Sequence, residues 1–393
     1  MAASIGERLR QLRSERGLTQ EELARLASVS VDLVKKLEQG RRESARLTSL
    51  AALADSLDVP LSELTDKRPR LDGGGDRLVL GLRDALLTPD LLPGMDAEPD
   101  QDPTPAPRLR TMLSDGWRDY WSGRFVELAR RTPGLVTEAR QTQRAGMDGG
   151  DVVLSQAYQL SACLLVHLGR DDLALIGAER AVNAATAGVD ELQWGAAHGT
   201  YSWVLMNQAR NEDAERVAQR VAERIEPRMS TATPQQLTVW GGMVLWAMAA
   251  ASAAGRADAT NDYLALARAG AARMDSDRLD YALNFGPTQV AMQDTYAQVT
   301  MDRPDRALIA SERVQYERLK PISYGRHLLD VAQAQAAMRS DADAVDTLVR
   351  AKTLAPVWFR HQVAARSLVA EVVERRTRLT GPMRDLVRSL DAH

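Results

Sequence analysis

The sequence predicts an all-α protein, with a small helical domain joined by a linker to a longer array of helix pairs. Three observations carry this expectation. Ala and Leu dominate a chain of 393 residues in which only 5% are aromatic, and both are strong helix formers. Apolar residues recur at helical rather than alternating spacing. From about Arg108 a short polar punctuation also recurs, each time ahead of a helix with small residues at packing positions. At roughly 100–200 residues per domain, the length allows two or three domains.

Hydrophobic residues make up 45% and charged residues 26%, ordinary for a globular chain. No stretch approaches about 18 uninterrupted apolar residues, and the first residues lack the apolar core of a signal peptide. The single Cys163 excludes an internal disulfide and fits a reducing compartment. A cytoplasmic location is the expectation. The net charge of −3 divides into 13 Lys/Arg against 11 Asp/Glu over residues 1–70, and 37 against 42 over the remainder. Bulk charge therefore does not reveal a nucleic-acid partner; local placement must.

Residues 1–68 form the first domain, with about five short helices. Ile5–Arg16 places Ile5, Leu9 and Leu12 on one stripe, and Gly17 suits its stop. Thr19 and Glu22 form a capping box, after which Leu23, Leu26 and Ala27 are expected inward. Ser30 is the N-cap of a third helix running to Gln39, with Val34 and Leu37 buried, and Gly40 ends it. Further helices follow near Leu47–Leu57 and Leu61–Leu64.

The run Leu18-Thr19-Gln20-Glu21-Glu22-Leu23-Ala24, then Val29-Ser30, Leu37 to Arg42, Leu50 to Ala54 and Leu57 to Leu64, resembles the XRE (Cro/repressor-type) helix-turn-helix family from end to end. Ser28 departs from it, standing where the family usually has Gly, and a left-handed turn there costs a side chain something that Gly avoids. The resemblance implies a double-stranded DNA operator as partner, bound by a homodimer with half-sites about one helical turn (~34 Å) apart. The third helix would enter the major groove. Lys35 or Lys36 would donate to guanine, and Val31 would pack on a thymine methyl. Asp32 either accepts from cytosine or complements its helix dipole. Ser30 lies at the groove end of that helix. Gln20 matches the family's phosphate-contacting residue, and Arg41, Arg42 and Arg46 are expected on phosphates. Glu38 reads as an internal partner.

Residues 69–107 read as a linker. Gly73–Gly75 is a break, Asp76–Leu87 a short helix expected to pack on the next domain, and Thr88–Pro107 holds six of the 16 prolines and reads as extended.

Residues 108–393 carry the punctuation: Gly123-Arg124-Phe125, Gly169-Arg170-Asp171, Arg210-Asn211-Glu212, Gly255-Arg256-Ala257 and Asp302-Arg303-Pro304. Ala174, Ala214, Ala259, Ala307 and Ala344 mark a shared packing position. The intervals exceed the ~34 residues of strict tetratricopeptide repeats, so this is similar to a degenerate tetratricopeptide (TPR-like) α-solenoid of six or seven pairs. Such pairs share a core, and their first helices line a concave face. Ligand candidates there are Trp194, His198 and Tyr201 at one helical register, Gln289, Gln293 and Tyr296 at another, together with Trp240, Asn284, Tyr324 and His327. Aromatic residues at helical spacing also serve simply as array core.

No histidine stands at metal spacing, no Gly-Lys-Ser/Thr follows the glycines, and Cys163 lies in an apolar run as a core filler. No enzyme, metal or cofactor is therefore expected. The layout resembles actinobacterial XRE regulators with long TPR-like tails and implies a one-component transcription regulator sensing a small-molecule or peptide effector. The alternative is an interaction adaptor, in which the array recruits a protein and the DNA-binding domain localises it.

Overall fold

The computed structural model describes residues 4–41, 45, 47–57, 59, 64, 75–92, 95, 102–376 and 378–391. The N-terminal domain comprises α1 (Ile5–Glu15), α2 (Gln20–Leu26), α3 (Val31–Glu38) and α4 (Leu47–Ser56). Of the expected fifth helix over 61–64, all but the buried Leu64 lie outside the described residues. Local chemistry sets these boundaries. Ser4 with Glu7 and Thr19 with Glu22 close reciprocal capping boxes, and Ser30 accepts from the Leu33 N–H at 3.2 Å. The core is Leu9, Leu23, Ala24, Val34, Leu37, Leu50, Leu53, Leu57 and Leu64. Gly6 lets α1 cross α3: a Cβ there would sit 1.9 Å from the Leu37 carbonyl oxygen. Leu26 corrects the sequence expectation, because it is 53% exposed and Ala24 takes the inward position.

The linker helix α5 (Gly75–Leu87) lies on the array. Leu82, Ala85 and Leu86 join its core, and the buried Arg140 donates to the Ala85 carbonyl at 2.5 Å.

The array holds six helix pairs, α6 (Ala106–Trp121) with α7 (Phe125–Arg144), α8 (Gly150–His167) with α9 (Asp171–Ala187), α10 (Glu191–Asn207) with α11 (Asn211–Arg224), α12 (Pro234–Ala253) with α13 (Ala257–Ala271), α14 (Pro287–Thr300) with α15 (Pro304–Ser311), and α16 (Pro321–Ala337) with α17 (Asp341–Leu354). Three shorter helices follow: α18 (Pro356–Arg360), α19 (Val363–Glu374) and α20 (Gly381–Asp391). α12 is apolar on every side and correspondingly buried.

One turn joins the members of all six pairs. Gly123, Gly169, Ala209, Gly255, Asp302 and Arg339 have φ between 57° and 75°. The next residue's N–H reaches back five positions, as Arg124 does to Asp119 O, Arg170 to Leu165 O and Ser340 to Gln335 O. This is the Schellman closure. It corrects the packing register too: the position three residues into the second helix is filled by Ala174, Ala214, Ala307 and Ala344 in the second, third, fifth and sixth pairs, by Leu128 in the first, and by Thr260 rather than Ala259 in the fourth.

Two features depart from a simple all-α solenoid. A two-stranded antiparallel hairpin, β1 (Arg278–Asp280) and β2 (Leu283–Phe285), interrupts the array between α13 and α14. Phe285 seats its ring against Gly241 of α12, and the Asp277 carboxylate caps α14 by accepting from the Thr288 and Gln289 N–H groups, both at 2.8 Å. The array also closes on itself. Ile322, Ala355 and Trp358 crowd Gly123 at the end of α6, and the Phe125 and His361 rings stand 6.5 Å apart. One hydrophobic core runs through both ends.

Candidate functional site: a recognition helix and a lumen

α3 turns Val34 and Leu37 inward, which leaves Asp32 and Lys36 exposed and Val31 and Lys35 half-buried at the domain surface. Lys36 pairs with Asp32 one turn earlier at 2.7 Å, and Lys35 reaches Glu21 of α2 at 2.9 Å. Exposed pairs of this kind contribute about 0–1 kcal/mol, so a phosphate or base edge can displace them. Gln20 is anchored rather than free: its amide donates to Glu38 Oε2 at 2.6 Å. Arg41 is exposed just past α3. Arg42 and Arg46 lie outside the described residues. Ser28 adopts φ 53°, the left-handed turn that the family fills with Gly.

In the array, the first helices of the pairs surround a cavity of about 1140 Å³. α6 supplies Trp117, Tyr120 and Trp121, α8 Cys163 and His167, α10 Thr200, Trp203 and Asn207, and α12 Leu245 and Trp246. α14 supplies Gln289, Gln293 and Tyr296, and α16 supplies Ser323, Arg326, Asp330 and Gln333. Tyr120 and His167 share a hydrogen bond at 3.1 Å, and the Trp203 and Trp246 rings stack at 6.2 Å. Burial pushes the Cys163 thiol up to about 12, which keeps it neutral, and pushes the Asp330 carboxyl up to about 7 although Arg326 pulls it back down.

Of the ten ligand candidates read from sequence, Asn284, Gln289, Gln293 and Tyr296 line this cavity. The other six are corrected by their surroundings. Trp194 and His198 pack on each other at 4.2 Å, with the Arg224 guanidinium over the Trp194 ring and His198 Nδ1 against the Trp194 carbonyl. Tyr201 packs with Leu205 of its own helix and Ala214 of α11. Trp240 and His327 are buried core residues, 2% and 4% exposed. Tyr324 stacks on Tyr316 beneath Arg350. Sequence reasoning missed Arg326, Asp330, Tyr120, Trp121 and Trp203. The available signal was register. Trp240 and Trp246 stand six residues apart, so they point about 120° apart around α12, and only Trp246 reaches the cavity.

A three-helix core that presents α3 outward behind a capped α2 defines a helix-turn-helix DNA-binding domain. Residues 4–66 match the helix-turn-helix domain family. Over 64 residues the chain is 38% identical to the HTH-type transcriptional repressor RghR of Bacillus subtilis, a match that covers 16% of this chain and 47% of that protein. The chain thus spans about half the length of that relative. Over 74 residues it is 42% identical to an uncharacterized transcriptional regulator in the ATPase CF(0) region of Rhodospirillum rubrum, covering 18% of this chain and 68% of that one. The chain belongs to this family of helix-turn-helix transcriptional regulators. The crystal structure of Bacillus thuringiensis PlcR in complex with the peptide PapR7 and DNA aligns over 80% of this chain and 100% of that one, with 12% identity and a TM-score of 0.27, a likeness too slight to carry an argument.

Proposed function

We propose that this regulator is a cytoplasmic homodimer that binds a double-stranded operator and changes its occupancy when an effector fills the lumen. Gln20, Ser30, Val31, Asp32, Lys35, Lys36, Arg41, Arg42 and Arg46 are the DNA contacts in this reading. Asn284, Gln289, Gln293 and Tyr296 belong to the effector site. The observation that carries it is a single cavity faced by both halves of the protein: Ala52 and Asp55 of α4 border the same space as the array's first helices. An effector there biases the placement of the DNA-binding domain only if it binds one arrangement better than another. The closure of the array favours a small effector over a folded protein partner, which needs an open face.

Selection of bound DNA from a random pool with the full chain tests the reading. The selected sites should be two-fold symmetric, with half-sites about 10 base pairs apart. The double variant Lys35→Ala/Lys36→Ala should lose at least about a hundredfold in affinity for the selected site. Asymmetric single sites or unchanged affinity would overturn it.

A further inference from the structure

The chemistry of the lumen wall goes further than its size, and it points to one class of effector. Ser323, Arg326, Asp330 and Gln333 lie three or four residues apart on α16 and so share its lumen face. Arg326 is exposed to the lumen, and among the described residues it makes no hydrogen bond or ion pair. The neighbouring Asp330 carboxyl, a turn further on, is not bonded to it. The other arginine facing the space, Arg210, is already held by Asp213 at 2.6 Å.

An unpaired guanidinium recognises a carboxylate or a phosphate as a two-pronged partner. The surrounding charge decides between them. Asp55, Asp171, Glu212, Asp213 and Asp330 also face the lumen. Arg210 is balanced by Asp213, burial favours the protonated form of Asp330, and the remaining acids oppose a multiply charged phosphate ester more than a single carboxylate beside Arg326. The body of the ligand is set by the rings opposite: Trp121, Trp203 and Trp246 with Tyr120 and Tyr296. Tyr120 and Tyr296 both lie within the electrostatic reach of Arg326, so the cation stands at the edge of the aromatic wall. Trp121 Nε1 is buried and has no hydrogen-bond partner, a donor available to a polar atom of the ligand.

We infer that the lumen binds an aromatic monocarboxylate, with Arg326 gripping the carboxylate and the Trp and Tyr rings packing its flat body. This rests on the effector reading above.

The test uses the full chain, with indole-3-acetate, phenylacetate and 2-naphthoate as acids, and indole-3-acetamide as the uncharged twin. Binding is read by tryptophan fluorescence and calorimetry. At least one acid should bind saturably, and indole-3-acetamide should bind at least about tenfold more weakly than indole-3-acetate, the scale of a charge-assisted hydrogen bond. Arg326→Gln should bring indole-3-acetate down to the affinity of the amide while leaving the amide unchanged. Arg326→Lys should restore part of the preference. Equal affinity for acid and amide, an acid preference that survives Arg326→Gln, or no binding by any of the acids would overturn the inference. The effector reading is separable. If acids bind as stated but operator affinity does not move, the ligand class stands and the regulatory reading falls. If only neutral or cationic metabolites bind and shift operator affinity, the effector reading stands and this inference falls.

Discussion

The Arg13 guanidinium clasps the Glu38 carboxylate through two hydrogen bonds, at 2.6 and 2.9 Å, and so ties α1 to the end of the recognition helix. Arg13 spends a third donor on the Leu18 carbonyl at 2.7 Å, and Gln20 adds a third bond to Glu38. Burial pushes the Glu38 carboxyl up, but the bonds from Arg13 and Gln20 and the Arg13 charge outweigh it and hold the group below the ordinary carboxylate range. Arg13→Ala leaves that carboxylate buried without its counter-charge. It should destabilise the N-terminal domain by about 3 kcal/mol, read as faster amide exchange throughout α1–α3. The contribution is complete above the ordinary carboxylate range and is lost as pH falls through the depressed folded value. A Glu38→Gln variant should therefore show a flatter acid limb than the parent, and an unchanged limb would remove Glu38 from the account.

Base reading and phosphate contact separate by salt dependence. Lys36→Ala should cost about 1–3 kcal/mol on the selected operator, with a smaller loss on sites altered at the base it reads. Arg41→Ala should weaken all sequences alike and reduce the slope of log affinity against log salt by about one. Glu21→Gln frees Lys35 from its surface pair and should leave affinity equal or modestly higher. A fall in affinity with Glu21→Gln would show that the Lys35–Glu21 pair holds the DNA-binding arrangement.

The repeated turn offers a stability test free of packing. A Cβ on Gly255 would meet nothing within 4 Å, yet its φ is +75°. Gly255→Ala should therefore report only backbone strain, about 1 kcal/mol. The reverse change at Arg339, φ +65°, should stabilise: Arg339→Gly relieves the left-handed strain, partly offset by the extra freedom of Gly in the unfolded chain. Urea midpoints moving in opposite directions for the two variants are the expected result. The same sign for both would show that these turns are set by contacts rather than by φ.

These turns also show how far the sequence could be read. The family signal in residues 1–68 is local, each cap and core position lying within a few residues of its partner, and α1 to α4 follow from it. In the array the punctuation was legible where Gly marks it, at Gly123, Gly169 and Gly255, and also at Asp302, while Arg210-Asn211-Glu212 was read one residue past its turn residue, Ala209. Arg339 carries the same geometry with a residue that gives no such hint. Closure of the array was beyond reach, because Gly123 and Trp358 are brought together only by the summed curvature of every pair between them. Without closure the lumen has no defined inner wall. Candidates chosen by aromatic character on one helix therefore fell to either side of it, Tyr296 inward and Trp194 and Tyr324 outward.

The buried His327 and the half-buried Asp330, one turn of α16 apart, should make opposite contributions to the pH dependence of stability. Burial pushes His327 down to about 4, from an ordinary value of 6.5. Between those values the unfolded chain binds a proton that the folded chain refuses, so stability falls as pH falls from 6.5 to 4. At 1.36 kcal/mol for each pH unit crossed, this is about 3 kcal/mol. Asp330 behaves in the opposite sense. Burial raises it to about 7 from 3.8, against the pull of Arg326. The folded chain keeps a proton there that the unfolded chain gives up, so stability rises as pH falls across the same window. In the parent protein the two slopes offset each other between about pH 4 and 6.5. Each single variant exposes the other group. His327→Leu should grow more stable on acidification from pH 7 to 5 relative to the parent. Asp330→Asn should gain at pH 8 and lose ground relative to the parent as pH falls. Urea unfolding at pH 5, 6, 7 and 8, followed by tryptophan fluorescence, reads both slopes. Parallel curves for the parent and the two variants would mean that neither side chain changes its protonation on unfolding.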